Sequence, residues 1–204
     1  MLQFPATFLW GAATSAYATE GGNFHSDWWR WEQRPGRIRD GSSALHASRH
    51  AERFESDFEL AAKLGHRAHL FTVEWSRAEP EPGRFDTAVL DHYASVADSL
   101  HRRGLEPICA LHHVSNPQWF TDGGGWHRPE APDRFAAYAR RVFDVLGPAC
   151  RWWLPLLEPA WSVSGGYIDG SFPPAVRNPW RARRALRHMA MAHHAAAEAL
   201  HARR

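Results

Sequence analysis

One glutamate of this chain has the sequence context of a reacting group. Glu158 follows a mostly apolar run, residues 152–157, and precedes Pro159, which places its carboxyl group at the C-terminal end of a predicted strand. Carboxylates at that end of the strands in α/β barrels usually take part in catalysis. The apolar neighbours are expected to raise the pKa of Glu158 by desolvation, which suits a general acid that protonates a leaving oxygen. The alternative is a structural glutamate that caps the turn before Pro159.

Cleavage of a glycosidic bond generally needs two carboxyl groups, one as the acid and one as the nucleophile or base. Four further acidic residues lie at or near the predicted strand ends, namely Glu20, Glu74, Asp122 and Asp169. Retention of configuration needs about 5–5.5 Å between the two carboxyl groups and inversion about 6.5–9.5 Å, and the sequence fixes neither distance. Glu74 is better explained as a structural partner of Arg77 or another basic group, so Glu158 is the one strong candidate.

Two adjacent histidines, His112 and His113, are further candidates for chemistry. Neighbouring residues of a strand point to opposite faces, so the two rings are not expected to share a metal ion, and no His-Glu-x-x-His spacing occurs. The sequence therefore predicts no metal site and no cofactor. For His113 the alternative is a hydrogen-bonded core histidine. The two cysteines, Cys109 and Cys150, make no disulfide framework and are expected to be reduced.

The composition excludes several classes of function. A net charge of +2 over 204 residues gives no reason to expect nucleic acid or an anionic membrane as a partner. No apolar run reaches the roughly 18 residues that a membrane span needs, and no basic segment followed by a long apolar one opens the chain. We therefore expect a cytoplasmic protein. The basic stretch 177–187 is typical of a solvated helix start.

Apolar runs and amphipathic stretches alternate along the chain. The apolar runs predict strands at residues 8–17, 68–75, 107–113 and 151–157. Apolar residues at helical spacing predict helices at residues 48–64, between Asp86 and Gly104, at 130–146 and at about 180–203. Gly65 and Gly104 have the type and position of helix C-caps, and Asp86 is a candidate N-cap.

Strands that alternate with helices predict a parallel sheet with right-handed crossovers. Four strand–helix units fit an α/β fold of the (β/α)8 TIM-barrel type, here a half-barrel, in a single domain that spans residues 1–204. A doubly wound open sheet is the competing architecture. It is less favoured because no Gly-x-Gly-x-x-Gly turn follows the first strand.

The ends of the predicted strands carry motifs that resemble glycoside hydrolase family 1, the β-glucosidase family. The motifs occur in order: Phe-Leu-Trp-Gly-Ala-Ala-Thr-Ser-Ala-Tyr at 8–17 with Glu20-Gly21, Phe-Thr-Val-Glu-Trp-Ser-Arg at 71–77, Pro-Ile-Cys-Ala-Leu-His-His at 107–113, Gly-Gly-Trp at 124–126, and Glu158-Pro159 followed by Gly166-Tyr167. One such motif is weak evidence, whereas the ordered series is specific. The resemblance implies a complete barrel of more than twice this length, with the nucleophile glutamate on its seventh strand. The match covers the N-terminal half of that barrel.

The resemblance implies roles for four residues. Glu158 matches the family's general acid/base, and His113 matches a histidine that hydrogen-bonds the sugar. Trp119 and Trp126 lie in loops above the predicted site, where they are candidates for substrate-binding walls, although core packing explains both equally well. The implied substrate is a β-linked oligosaccharide or an aryl or alkyl β-glycoside.

Three positions depart from the family pattern in the same direction. Ala18 stands where the family usually has Gln, Leu70 where it has Arg, and Leu157 where it has Asn. Each change replaces a polar group of the sugar site by an apolar one, and each lost hydrogen bond to a sugar hydroxyl costs on the order of 0.5–1.5 kcal/mol. We therefore expect a chain that has drifted away from efficient catalysis.

Two hypotheses for function follow. The first is a retaining β-glycosidase that hydrolyses O-glycosidic bonds with Glu158 as general acid/base; because the nucleophile strand has no counterpart here, we expect little activity from the chain alone. The second is a non-catalytic half-barrel that forms a homodimer through its open sheet edges and serves as a carbohydrate-binding or structural protein. A folded dimer favours the second hypothesis, and an aggregating monomer favours the first.

Overall fold

The computed structural model describes residues 3–202, which form a parallel sheet flanked by helices. The strands of that sheet are β1 (Gly11–Ala13), β2 (Ala68–Thr72), β3 (Glu106–Ala110) and β4 (Trp152–Leu154). They pair in the order β1-β2-β3-β4, and every pair is parallel. A doubly wound sheet reverses its strand order part-way across. The consecutive order is that of half of a TIM barrel, which confirms the predicted fold class.

The described residues also form helices of very different lengths. The α-helices are α1 (Ala16–Thr19), α2 (Asp27–Glu32), α3 (His50–Lys63), α4 (Trp75–Ala78), α5 (Thr87–Arg102), α6 (Gln118–Asp122), α7 (Ala131–Leu146), α8 (Pro159–Val163) and α9 (Pro179–His201). A 3₁₀ turn covers Gly125–His127, and a π-helical segment covers Ser164–Asp169. The four long helices, α3, α5, α7 and α9, lie where the amphipathic stretches predict them.

Local signals explain where these long helices begin and end. The carboxylate of Asp86 accepts the N–H of Val89 at 3.2 Å and so caps α5. Gly65 and Gly104 follow α3 and α5 with φ of 83° and 70°, a left-handed conformation that glycine adopts without strain. Residues 1–2 and 203–204 of the predicted domain lie outside the described residues. The predicted end of the last helix, at residue 203, therefore also lies outside them.

The strands are shorter than the apolar runs that predict them. Each run continues for several residues beyond the C-terminal end of its strand, because the chain leaves the sheet there to form loops and short helices. After β2, for example, Glu74 caps α4 by accepting the N–H of Ser76 at 3.3 Å. Beyond β3 and β4, the pairing persists as a single isolated parallel bridge between His113 and Leu157. The segments that leave the sheet carry the candidate chemistry.

The core beneath these strand ends is rich in aromatic side chains. Trp75 is 1% exposed and stacks on Tyr138, with 5.1 Å between ring centroids and 18° between the rings. The hydroxyl of Tyr138 donates to the carbonyls of Val73 and Leu111, at 3.1 Å each. This side chain therefore fixes α7 to the segments that follow β2 and β3, and makes the floor of the site rigid.

Candidate active site

The bridge between His113 and Leu157 brings the two main candidate residues together. Leu157 donates its N–H to the carbonyl of His112 at 2.9 Å, so the segments after β3 and β4 run side by side. His113 Nε2 then lies 3.2 Å from Glu158 Oε2. The histidine and the glutamate that the sequence predicts for sugar binding and acid–base work are thus direct hydrogen-bond partners.

A serine from the first strand end orients the histidine ring. Ser15, which precedes α1, places its Oγ 2.9 Å from His113 Nδ1. With Glu158 ionised and the ring neutral, Nε2 donates to the carboxylate and Nδ1 accepts from the serine hydroxyl. Ser15 therefore helps to hold the ring of His113 in position, and three strand ends meet at this point.

Glu158 is accessible, contrary to the apolar enclosure that its sequence neighbours predict. Its side chain is 55% exposed, whereas that of His113 is 15% exposed. The expectation fails because the apolar run leaves the strand before Glu158, which stands at the start of α8. The Glu158 side chain makes no capping hydrogen bond to that helix, so the structural alternative of a capping glutamate does not describe it either.

Backbone strain accompanies the two loops of the site. Glu158 has φ of 52° and Val114, next to His113, has φ of 56°. Left-handed conformations cost a residue with a side chain on the order of 1–2 kcal/mol, and they are rare for a β-branched residue such as valine. Such strain persists where the surrounding structure holds it, and it is concentrated at functional sites.

Two of the four alternative carboxylates are buried in one network below the site. Glu20 accepts from Arg77 at 2.8 Å and from the Tyr93 hydroxyl at 2.9 and 3.0 Å. Glu74 accepts from the hydroxyls of Ser76 and Ser115 at 2.7 and 2.8 Å. Arg77 is thus the hydrogen-bond partner of Glu20. Glu74, expected to be a structural partner of Arg77 or another basic group, accepts instead from serine hydroxyls, and Arg77 acts on its carboxylate only through space.

Burial has the largest effect on the pKa values of the two carboxyl groups in this network. Desolvation raises the pKa of Glu20 from its ordinary value of 4.5 to about 7, although the cation of Arg77 acts in the opposite direction. Desolvation also raises the pKa of Glu74. Both carboxyl groups are engaged with partners other than Glu158, so they serve the scaffold in this structure.

The other two alternatives are surface residues with local partners. Asp122 forms a bidentate ion pair with Arg30, at 2.5 and 2.9 Å. Asp169 accepts from the N–H and hydroxyl of Ser171 at 2.7 and 2.5 Å. Neither residue hydrogen-bonds Glu158.

A buried aspartate attaches the long loop after β1 to the end of β3. Asp27 accepts from the backbone and side-chain amides of Asn116 at 3.0 Å each, and from the hydroxyl of Thr121 at 2.9 Å. Burial raises the pKa of Asp27 to about 6. These contacts hold the tryptophan-rich α2 against the end of β3, so they shape the surface beside His113.

The two tryptophans that the resemblance suggests as substrate-binding walls lie in different surroundings. Trp126 is 2% exposed and donates its indole N–H to Asn116 Oδ1 at 2.8 Å, a placement that favours core packing. Trp119 is half-buried and donates to the carbonyl of Glu79 at 2.9 Å. It lines a separate cavity of about 260 Å³ with Arg134, whose guanidinium lies 5.5 Å from the Trp119 ring centroid. Neither indole lines the cavity that adjoins His113.

A cavity of about 400 Å³ adjoins His113, and we call it the Trp28 cavity. Its walls are Ser15, Tyr17, Ala18, Trp28, Glu32, Ile38, Ser42, Ser43, Ala44, Ala47, His113, Val114 and Trp161. Of these residues, the sequence predicted His113 as a site residue and marked Ala18 as an apolar replacement in the sugar site. The one available signal was the cluster of tryptophans in the loop after the first strand, which a sequence alone cannot place relative to His113.

Other kinds of site are not evident in the part of the chain that the structure describes. Within residues 3–202, no three His, Cys, Asp or Glu side chains group in a way that suits a metal ion. Cys109 and Cys150 are free and buried. Among the helices described, none combines the length and the apolar character that crossing a membrane requires.

Comparison with known proteins agrees with this geometry. The family model described as Glycosyl hydrolase family 1 matches residues 1–204. Beta-glucosidase A of Thermotoga maritima is 34% identical over 198 residues, which cover 94% of this chain and 44% of that protein. Coniferin beta-glucosidase of Pinus contorta is 36% identical over 178 residues, which cover 84% of this chain and 35% of that protein.

Solved structures show the same relationship. A family 1 β-glucosidase structure from Thermotoga maritima has 33% sequence identity and a TM-score of 0.93, and the match covers 96% of this chain and 45% of that one. The chain therefore spans less than half the length of these relatives. With the family model matched along its whole length and the strand-end motifs in place, the chain belongs to glycosyl hydrolase family 1.

Proposed function

We propose that this chain forms the acid/base side of a retaining β-glycosidase site and acts on aryl or alkyl β-glycosides or β-linked oligosaccharides. The observation that carries the proposal is the contact of 3.2 Å between His113 Nε2 and Glu158 Oε2 at the adjoining ends of β3 and β4. Glu158 protonates the leaving glycosidic oxygen and later removes a proton from water, and His113 orients the carboxyl group and the sugar.

The accessible position of Glu158 supports this role. A general acid must reach an oxygen of a bound substrate, and the side chain of Glu158 is 55% exposed at the mouth of the half-barrel. We assign the role of nucleophile to neither Glu20 nor Glu74, because both carboxylates are buried and hydrogen-bonded within the scaffold. We therefore expect low turnover by the chain alone, since acid–base help contributes only about 10²–10⁴-fold.

The test compares two substrates that differ in their need for an acid. We expect the purified chain to hydrolyse methyl β-D-glucoside and 4-nitrophenyl β-D-glucoside slowly. Glu158→Gln should reduce kcat/KM, which reports the glycosylation step, by about 10²–10⁴-fold for the methyl glycoside and much less for the nitrophenyl glycoside, because nitrophenolate leaves without protonation. The matched control is Glu130→Gln, whose glutamate is 55% exposed at the start of α7.

Three results would contradict the proposal. Equal losses of kcat/KM for both glycosides in Glu158→Gln would indicate a role in folding or binding. An unchanged rate in that variant would exclude Glu158 from the chemistry. Absence of turnover by the folded wild-type chain with both substrates would show that this chain does not catalyse the reaction.

A second function, the non-catalytic homodimer, is favoured by the surface beside β1. Phe4, Phe8 and Trp10 are 59%, 40% and 53% exposed, and their rings contact one another with centroids 4.6–4.8 Å apart. Exposed apolar clusters beside an open sheet edge mark interaction sites. Sedimentation equilibrium separates the two functions, since the dimer requires twice the chain mass of 23.2 kDa and Trp10→Ser should weaken it.

A further inference from the structure

Five aromatic rings follow one another beside the Trp28 cavity, and four of them, those of Tyr17, Trp28, Trp161 and His113, line it. Neighbouring ring centroids are 6.0 Å apart for Tyr17 and Trp28, 5.0 Å for Trp28 and Phe172, 4.6 Å for Phe172 and Trp161, and 6.3 Å for Trp161 and His113. The ring of Trp161 lies only 28° from parallel to that of His113. Flat faces arranged in this way suit a ligand that is itself flat.

The acidic group of the cavity is occupied by neighbouring protein groups. Glu32 accepts from the Tyr17 hydroxyl at 2.6 Å and from the Ser43 hydroxyl at 2.5 Å. It also accepts from the backbone N–H of Ala44, at 3.1 and 3.2 Å to its two oxygens. The carboxylate therefore closes the loop after α2 and leaves few lone pairs for a bound molecule.

The polar groups at the other end of the cavity are occupied in the same way. Ser15 is engaged with His113 Nδ1, and His113 Nε2 is engaged with Glu158. Between these groups the wall is formed by Ala18 and Val114, which offer no polar side-chain atom. The cavity thus joins aromatic and aliphatic walls to a carboxylate, a serine and a histidine that are already paired within the protein, whereas the buried indole N–H of Trp28 has no hydrogen-bond partner among the described residues.

We infer that the Trp28 cavity binds a neutral, flat aromatic molecule of one or two fused rings. The cavity of about 400 Å³ falls in the size range of small-molecule sites. The ring faces supply stacking and apolar burial. The inference goes beyond the proposed hydrolysis, because it requires no bond to break.

A sugar fits the same space poorly. Each hydroxyl of a pyranose that leaves water must find a new hydrogen-bond partner, or its desolvation is uncompensated. Ala18 provides none, and the oxygens of Glu32 are taken up by Tyr17, Ser43 and Ala44. The apolar replacement at position 18 therefore changes the class of ligand that the cavity favours.

The test is calorimetric titration of the full chain with 2-naphthol, with methyl β-D-glucoside as the comparison ligand. We expect 2-naphthol to bind with a dissociation constant on the order of 10⁻⁴ M, as its small number of heavy atoms allows. Methyl β-D-glucoside should bind at least tenfold more weakly. The titration measures binding and not turnover, so its result does not depend on whether the chain hydrolyses glycosides.

Two variants at one wall position and a matched control locate the binding. Ala18→Trp fills the cavity and should weaken 2-naphthol binding at least tenfold, whereas Ala137→Trp, on an exposed position of α7, should leave it unchanged. Ala18→Gln adds an amide to the wall and should bring the two ligands closer in affinity. Near-ultraviolet circular dichroism checks that each variant is folded.

The inference is overturned by any of three results. The first is tighter binding of the glucoside than of 2-naphthol by the wild-type chain. The second is absence of 2-naphthol binding at millimolar concentration. The third is equal 2-naphthol affinity in wild type and in folded Ala18→Trp. Because that variant fills the cavity, equal affinity would mean that 2-naphthol binds elsewhere on the surface.

Discussion

Substitution of Glu20 by glutamine tests whether burial or ion pairing controls the network below the site. Glu20 is 7% exposed, and it contacts Arg77 and the Tyr93 hydroxyl. Desolvation raises its pKa from 4.5 to about 7, so the folded chain binds the Glu20 proton more tightly than the unfolded chain does. The protonated group favours the fold below pH 4.5, and that contribution is lost as the pH rises to about 7.

The size of the effect follows from the two pKa values. At 1.36 kcal/mol per pH unit, a rise from 4.5 to about 7 corresponds to about 3 kcal/mol. Glutamine resembles the protonated acid in shape and does not titrate. Glu20→Gln should therefore be close to wild type in stability near pH 4, and should gain up to about 3 kcal/mol relative to wild type by pH 8.

Urea unfolding followed by circular dichroism at several pH values measures this difference. Asp27 also titrates in this range, and its contribution cancels in the difference because Glu20 is not among the groups that shift its pKa. Glu74 interacts with Glu20, so its response is part of the measured difference. Glu130→Gln, an exposed change, should keep a constant difference from wild type. If wild type instead gains stability over Glu20→Gln as the pH rises, the attraction between Glu20 and Arg77 outweighs burial, and the reasoning is refuted.

Two further substitutions test the packing interpretation of the site. Trp126→Phe removes the indole donor to Asn116 and should lower the free energy of unfolding by about 2 kcal/mol. The affinity for 2-naphthol should not change. Loss of that affinity at unchanged stability would show that Trp126 contributes to ligand binding. Leu70→Arg introduces a charge at a half-buried position of β2 and should lower the free energy of unfolding, measured with urea, by about 2 kcal/mol. Leu70→Met should lower it by less than about 1.5 kcal/mol. Equal stability of the two variants would show that the position tolerates a cation.

The sequence predicts those parts of the molecule that depend on short-range patterns. The helix around Phe135 and Tyr138 is fixed by apolar spacing, and the cap at Asp86 is fixed by side-chain chemistry. The contact of His113 with Glu158 is predictable only because parallel strands end at one edge of the sheet, where the family motifs also place both residues. Local pattern and topology together therefore identify the pair.

The same reasoning fails where distant segments meet. The Trp28 cavity combines walls from residues 15–18, 28–47, 113–114 and 161, whose relative positions depend on the buried contact of Asp27 with Asn116. Trp126 illustrates a different difficulty, because a loop tryptophan has the same sequence signal whether it faces a substrate or the core. Its neighbours Trp75, Phe120 and Phe135 decide the outcome, and they are contributed by other elements.

The three apolar departures have a common physical consequence for the proposed chemistry. Under the proposed function, Glu158 and His113 keep the groups that move and orient a proton. Ala18 and Leu157 stand where the family pattern has side chains that bond sugar hydroxyls, and Leu70 where it has an arginine beside the nucleophile. Catalysis requires interactions that are stronger in the transition state than in the ground state, and hydrogen bonds to the sugar 2-hydroxyl are among those that strengthen. A chain that retains the acid but lacks these contacts loses rate as well as affinity. Glu32, Ser15 and His113 at the Trp28 cavity are paired within the protein, which is why we infer a site better suited to an aromatic ligand than to a sugar.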